Sequence, residues 1–224
     1  MKKINNKTIL EHVIERVSQS RLINTIVIAT TTHQRDNIIA EEAVQCEVEY
    51  YRGSEEDVLS RYYYAAKENG LDVVVRITSD CPLIDPYVID EVIECFLRSN
   101  YDIVSNAGAE LSNRTYPRGL DTEVFSFNTL EKAFINASEK YQREHVTPYI
   151  YEQSNNLYYY KNKIDYSKHR WTLDTDDDLK LITEIYKHLY KGNHDFYMYD
   201  IIVLFDQYPD LYTINAHIEQ KKIK

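Results

Sequence analysis

The sequence predicts an α/β fold with a mostly parallel sheet and helices on both faces, and three observations carry that expectation. Short apolar runs of strand length recur through residues 24–106, each separated by a stretch of helical spacing, the signature of βαβ units. The run "DVVVRI" (72–77) is apolar almost throughout and reads as a buried strand. Helix punctuation falls where the alternation needs it, with Gly70 as a stop and Asp85-Pro86 as a start.

Taken in order, Thr8 and Glu11 predict a capped first helix with no strand before it. "NTIVIATT" (24–31) predicts a strand, "HQRDNIIAEEAV" (33–44) a helix, and "CEVEYY" (46–51) a strand by its period of two. "SEEDVLSRYYYAAKENG" (54–70) predicts a helix capped by Ser54 with Asp57, its apolar stripe formed by Val58, Leu59, Tyr62, Tyr63 and Ala66. After the strand at 72–77 and the helix opened by Asp85, "YDIVSN" (101–106) predicts a further strand. The rhythm then changes. "AGAELSNRTYPRG" (107–119) reads as a long loop, "LDTEVFSF" (120–127) as a strand, and "NTLEKAFINA" (128–137) as a helix capped by Asn128. Residues 139–163 give no clear period. "HRWTL" (169–173) predicts a short strand, and "TDDDLKLITEIYKHLY" (175–190) an amphipathic helix whose cap is Thr175 and whose first turn is Asp176 to Asp178. No linker composition divides the chain, which predicts one domain over 1–224 with an elaboration at about 107–165. The tail from Asp210 either packs on a second subunit, giving a homodimer, or frays at its last few residues.

Composition narrows the partners. The chain has 224 residues, 43% apolar and 28% charged, with 36 acidic against 26 basic side chains and a formal charge of −10. That balance argues against a nucleic-acid partner, which asks for a basic face, but not against a nucleotide, whose phosphates a metal ion can bridge to carboxylates. No apolar run approaches about 18 residues, so no membrane partner is expected, and the opening residues do not read as a secretion signal. Three cysteines without metal-type pairing fit a reduced, cytoplasmic protein. The 21 tyrosines, including two "YYY" runs, read as half-buried faces rather than a base-stacking platform.

Three polar segments follow apolar strands: Thr30-Thr31-Thr32, Arg52-Gly53-Ser54 and Ser79-Asp80-Cys81-Pro82. In an open parallel sheet these emerge along one edge, where ligands bind. Asp80 is either a turn former ahead of proline or a carboxylate aimed into that crevice. A second acid, Asp174, lies beyond another strand and ahead of a helix cap. Two carboxylates from separate strand ends can hold one Mg²⁺ and leave its remaining sites to water and phosphate.

"YYRGSEEDVLSRYYYAAKENGLDVVVRITSDCPLIDPYVID" (50–90), "TYPRGLDTEVFS" (115–126), "REHVTPYIY" (143–151) and "RWTLDTDDDLKLI" (170–182) together resemble cytidylyltransferases of the spore coat polysaccharide type. These are relatives of the synthetases that make CMP-activated sialic acid and CMP-activated Kdo. The resemblance covers about residues 7–190. It implies a Rossmann-like nucleotidyltransferase fold, and transfer of a cytidylyl group from CTP (or another nucleoside triphosphate) to a sugar or sugar acid with loss of pyrophosphate. By position it implies Asp80 and Asp174 as catalytic, Mg²⁺-binding carboxylates. It places Thr30, Arg52, Gly53, Ser54, Arg61 and Ser79 near the nucleotide. It places Gly119, Asp121, Glu123, Arg143 and His145 near the sugar, with His145 also a candidate base and Glu144 in the same motif without a role.

The sequence departs from that family in one respect. Family members open with a central strand and a glycine-rich, basic phosphate loop, and neither precedes the first helix here. The expectation is therefore a sheet lacking its first strand, a Met1 that is an internal residue of a longer enzyme through a misplaced start or a shortened gene, and two apolar strands short of a neighbour. Two other readings stay open: a fold remnant that binds or scaffolds without turnover, and a metal-dependent glycosyltransferase using Asp174-Thr175-Asp176 as a D-x-D pattern.

Overall fold

The computed structural model describes residues 1–107 and 113–219. The chain opens on a hairpin, β1 (Lys3–Ile4) and β2 (Lys7–Thr8), closed by Asn5 and Asn6 with φ of +49° and +68°. Asparagine tolerates that left-handed backbone, and two such residues make the tight turn a two-residue hairpin requires. This corrects the expectation that no strand precedes the first helix. The cap itself is as expected: the Thr8 hydroxyl accepts from the Glu11 N–H at 3.1 Å and opens α1 (Ile9–Val17).

β3 (Val27–Thr31) leads through a short 3₁₀ turn into α2 (Asn37–Gln45), and β4 (Glu49–Gly53) pairs parallel with β3. α3 (Val58–Glu68) starts one turn later than expected. Asp57, not Ser54, is its cap, accepting from the Ser60 N–H at 2.9 Å, while the Ser54 hydroxyl accepts from the Asp57 N–H at 3.1 Å. Gly70 ends the helix at φ +62°. β5 (Val73–Arg76) follows, then α4 (Pro86–Leu97), whose Asp85 cap accepts from Tyr87 N–H at 2.8 Å. β6 (Ile103–Ser105), β7 (Glu123–Ser126), α5 (Phe127–Asn136), α6 (Lys140–His145), α7 (Pro148–Gln153), β8 (Leu157–Tyr159), α8 (Asp176–Leu189), α9 (Met198–Gln207) and α10 (Asp210–Thr213) complete the order.

Two ladders result, β3–β4 and β5-β7-β6-β8. The strands are mostly parallel as expected, but β7 runs antiparallel to both β5 and β6. Successive residues of each strand serve opposite faces. Val73 and Val75, Val104 and Val124 join a core with α1, α4, α8 and α9, whereas Val74, Ile103 and Phe125 join one with α3, α5, α7 and Val146. Helices therefore do lie on both faces. The cap of α5 is Ser126 rather than Asn128, its hydroxyl accepting from Thr129 N–H at 3.0 Å. The last few residues of the tail, 220–224, lie outside the described residues.

Residues 169–173 do not form a strand of their own, since only Arg170 bridges to Arg118. The segment is nonetheless held on two sides: Trp171 N–H donates to Arg118 C=O at 2.7 Å, and Leu173 N–H to Asp80 C=O at 2.9 Å. Gly119 makes this approach possible. A Cβ there would sit 2.5 Å from the Trp171 carbonyl carbon, and its φ of +98° disfavours any other residue. Gly119→Ala is expected to lower stability by about 2–3 kcal/mol, read as the urea midpoint of the purified chain.

His169 is buried against Trp171, Phe205 and Tyr212, and its Nδ1 has no partner among the described residues. Burial, helped by nearby Lys168, pulls its pKa down to about 4. The folded state thus refuses a proton that the unfolded chain accepts below about 6.5. Between those two values the unfolded state binds more protons, so stability falls as pH drops from about 6.5 towards 4. Denaturant titrations across that window are expected to show this slope, and His169→Phe to make it shallower by one proton.

Candidate active site

At one end of the sheet the expected residues meet only in part. Asp80 is half-buried just past β5. Its carboxylate accepts from the Thr78 hydroxyl and from the Thr172 hydroxyl at 2.9 Å, with the Cys81 thiol at 3.5 Å. Its C=O accepts from Leu173 N–H, which sets the backbone leading into Asp174 directly beside it. The two acids therefore emerge from adjacent backbone at one rim, although their side chains face different neighbours. Asp174 is half-exposed and pairs with Arg170 Nη2 at 2.5 Å. Thr78 and Thr172 are further candidates that reading by motif passed over; their signal was position, each two residues from a candidate acid.

The donors are hard oxygens: two carboxylates with two hydroxyls that fix one of them. Among the described residues Asp80 is held by neutral donors alone, so a cation is chemically suited to it. Asp174 already has a guanidinium. The buried Asp178 shares that guanidinium at 2.9 Å and accepts from Asn215 at 2.8 Å. Burial opposes its charge, but the bonds from Arg170 and Asn215 outweigh that and hold the carboxyl below its usual range. Asp176 and Asp177 form the exposed first turn of α8, paired to Lys2 and Lys180. The Cys81 thiol is driven well up by burial and then by Asp80, so it is no nucleophile at neutral pH.

On the β3–β4 side, Thr30 is buried and lines the same cavity as Ser79 and Asp80. Arg52 points its guanidinium across the strand ends, with Nε on Thr31 C=O at 2.8 Å and Nη2 on His33 C=O at 3.0 Å. It shapes the rim rather than lying free for phosphate. Gly53 lets Arg61 lie against it, since a Cβ would meet Arg61 Cγ at 2.9 Å. The Arg61 Nε is buried without a partner among the described residues. Ser54 is exposed and engaged with Asp57.

The sugar-side candidates divide. Asp121 is partly exposed and takes a two-point pair from buried Arg114, at 2.5 and 2.9 Å. Arg118 sits close by, its pKa lowered by burial and then by Arg114. Glu123 is buried, holding Arg76 at 2.6 Å, Tyr151 at 2.7 Å and Thr147 at 3.1 Å. Burial opposes the Arg76 charge, yet Glu123 raises its pKa overall. A carboxylate so engaged ties β5, β7 and α7 together. His145 is half-buried at the end of α6, where Val146 takes φ +72° and Thr147 N–H donates back to His145 C=O at 2.9 Å. That is a γ-turn of the rare strained form, unusual for a β-branched residue.

Arg143 is engaged by its neighbours. It grips Asp57, the cap of α3, from Nε at 3.1 Å and Nη2 at 2.5 Å, and donates from Nη1 to Phe134 C=O at 2.7 Å. This is a clamp joining α3, α5 and α6. Arg143→Ala is expected to lower stability by about 2–3 kcal/mol, with Arg143→Lys recovering little because one ammonium cannot span both partners. Urea unfolding of the two variants checks this.

The chain matches the family model described as cytidylyltransferase over residues 1–223. It is 42% identical over 226 residues to an uncharacterized protein of Methanocaldococcus jannaschii, covering 99% of this chain and 89% of that one. It is 27% identical to the spore coat polysaccharide biosynthesis protein SpsF of Bacillus subtilis, over 95% of this chain and 89% of the other. Among solved structures, a cytidylyltransferase from Leptospira borgpetersenii superposes with a TM-score of 0.88 at 30% identity, covering 98% of this chain and 90% of that one.

Proposed function

The chain belongs to the cytidylyltransferase family, and from that membership we propose that it transfers CMP from CTP to a sugar or sugar acid, releasing pyrophosphate. The observation that carries this reading is the shared rim, where Asp80 and the Leu173–Asp174 backbone abut at the end of β5. An oxygen of the sugar attacks the α-phosphorus, the bond to the β-phosphate bridging oxygen breaks, and pyrophosphate leaves with the electron pair. If the attacking oxygen is a hydroxyl, its proton passes to solvent.

Mg²⁺ is the cofactor of this reading, offsetting phosphate charge when bound at Asp80 and Asp174. The chain's own contribution is positioning. Thr78 and Thr172 fix the Asp80 carboxylate, and Arg170 pairs with Asp174 beside it. Thr30, Ser79 and Arg61 lie on the nucleotide side of this reading. A sugar acid is the acceptor of this reading, with Arg118 near Asp121 on its side of the rim. The setting that fits is activation of a sugar for surface or spore-coat polysaccharide in the cytoplasm. No helix among the described residues is long and apolar enough to cross a membrane.

Incubation of the chain with CTP, Mg²⁺ and a panel of sugar acids is expected to release pyrophosphate. Asp80→Asn and Asp174→Asn are each expected to lower turnover by at least about 10²-fold while leaving the unfolding midpoint near that of the parent. A near-normal rate in either variant removes that residue from the metal site, and a folded chain that releases nothing favours a binding or scaffold role.

A further inference from the structure

Three arginines, Arg114, Arg118 and Arg170, lie near one another, and two of them are already bonded. Arg114 gives both branches of its guanidinium to Asp121, and Arg170 holds Asp174 and Asp178. The half-buried Arg118 side chain makes no hydrogen bond or ion pair among the described residues. Its backbone is fixed on both sides. The N–H donates to His169 C=O at 3.0 Å and the C=O accepts from Trp171 N–H at 2.7 Å, so that Arg118 bridges Arg170 in parallel register. Residues bridged in this way carry their side chains on one face, with backbones about 5 Å apart. Two guanidiniums thus leave adjoining backbone side by side, one bonded to two acids and the other to none. Burial opposes the charge of all three arginines. Asp121 outweighs it at Arg114, and the bonds from Asp178 and Asp174 outweigh it at Arg170, so both pKa values rise. At Arg118 repulsion from Arg114 adds to burial, Asp121 offsets only part of this, and the pKa falls. Asp121, Asp174 and Asp178 are each bonded to a guanidinium other than that of Arg118.

We propose that Arg118 binds an oxyanion brought by the substrates, a carboxylate of the acceptor or a phosphate of the nucleotide, and so selects an anionic substrate at this rim. The inference rests on the reading that Asp174 serves a cation there. A guanidinium suits the task, because its forked N–H donors match two oxygens of one carboxylate or phosphate and it keeps its charge when partly desolvated. Half-burial makes such a pair stronger than one in open water. A cation at Asp174 draws that carboxylate's charge away from Arg170. Arg118 and Arg170 are then left with Asp178 as the one acid still bonded to either of them, and the attraction for an incoming anion grows. A neutral counterpart of the same shape is turned away, since it leaves the half-buried guanidinium unmet.

Binding is measured without turnover, on the full chain with Mg²⁺ at constant ionic strength. The Nε–H signals of isotope-labelled arginine are followed by NMR while inorganic pyrophosphate, glucuronate or neutral glucose is added. The Arg118 signal is the one that Arg118→Gln removes. At least one of the two anions is expected to move that signal saturably. Arg118→Gln is expected to weaken the same anion by at least about tenfold, with Arg118→Lys recovering little. The anion weakened more by the substitution names the source: glucuronate the acceptor carboxylate, pyrophosphate the nucleotide phosphate. The urea midpoint of Arg118→Gln is expected at or above that of the parent, because a charge opposed by burial and by Arg114 is removed. A signal unmoved by both anions, an equal response to glucose, or affinities unchanged in Arg118→Gln would each overturn the inference. So would a lower midpoint in that variant, which would make the residue structural. A chain that passes these tests yet releases no pyrophosphate from CTP would instead lose the transfer reading and keep the anion site.

Discussion

The structure turns on how closely the 170–173 segment is forced against its neighbours. On one side Trp171 bonds to the Arg118 carbonyl across a residue that can have no side chain; on the other Leu173 bonds to Asp80. Neither contact is catalytic. Together they decide that an acid from the end of β5 and an acid from the start of α8, 94 positions apart in the chain, issue from touching backbone. Buried Trp171 then fills the space beneath, so the segment is fixed by volume as well as by hydrogen bonds.

Charge is distributed to the same end. Arg170 binds both Asp174 at the surface and Asp178 beneath it, so the rim is anchored through a guanidinium to the body of α8 and to Asn215 near the C-terminal end of the described chain. Arg16 does related work on the opposite flank. Wholly buried, it donates to Ile84 C=O at 2.6 Å and Phe196 C=O at 3.0 Å and lies over the Phe196 ring, securing the turn that follows Asp80. Asp85, next in that turn, caps α4 and also accepts from Met198 N–H at 2.6 Å. Much of the loop geometry is therefore set by ionic side chains bonded to backbone, a directional device that apolar packing does not supply.

Periodicity revealed the elements well where a single face or strand dominates. The β3, β5 and β6 runs, the Asp85 cap and the Thr175 cap were all legible because each is a local signal. Caps with several candidates in a row were misplaced: Asp57 outcompetes Ser54, and Ser126 outcompetes Asn128, because tertiary packing chooses where the helix axis begins. The 139–163 stretch gave no period because it breaks into two six-residue helices and a three-residue strand, each shorter than the window in which a period shows. Of the site, the acids could be found by position after apolar runs. That Glu123 and Arg143 are spent on buried or interlocking contacts could not, since their partners, Arg76 and Asp57, lie 47 and 86 residues away.

One consequence of the split sheet concerns cooperativity. β3 and β4 meet the rest of the fold through α3, and among the described residues no ladder continues from β3 to β5. Interfaces of side chains alone give way at lower free energy than networks that also break main-chain bonds, so this outer layer is expected to open before the rest. The seam between the two ladders runs beside Asp80, and whatever stiffens that seam also steadies the carboxylate at its mouth.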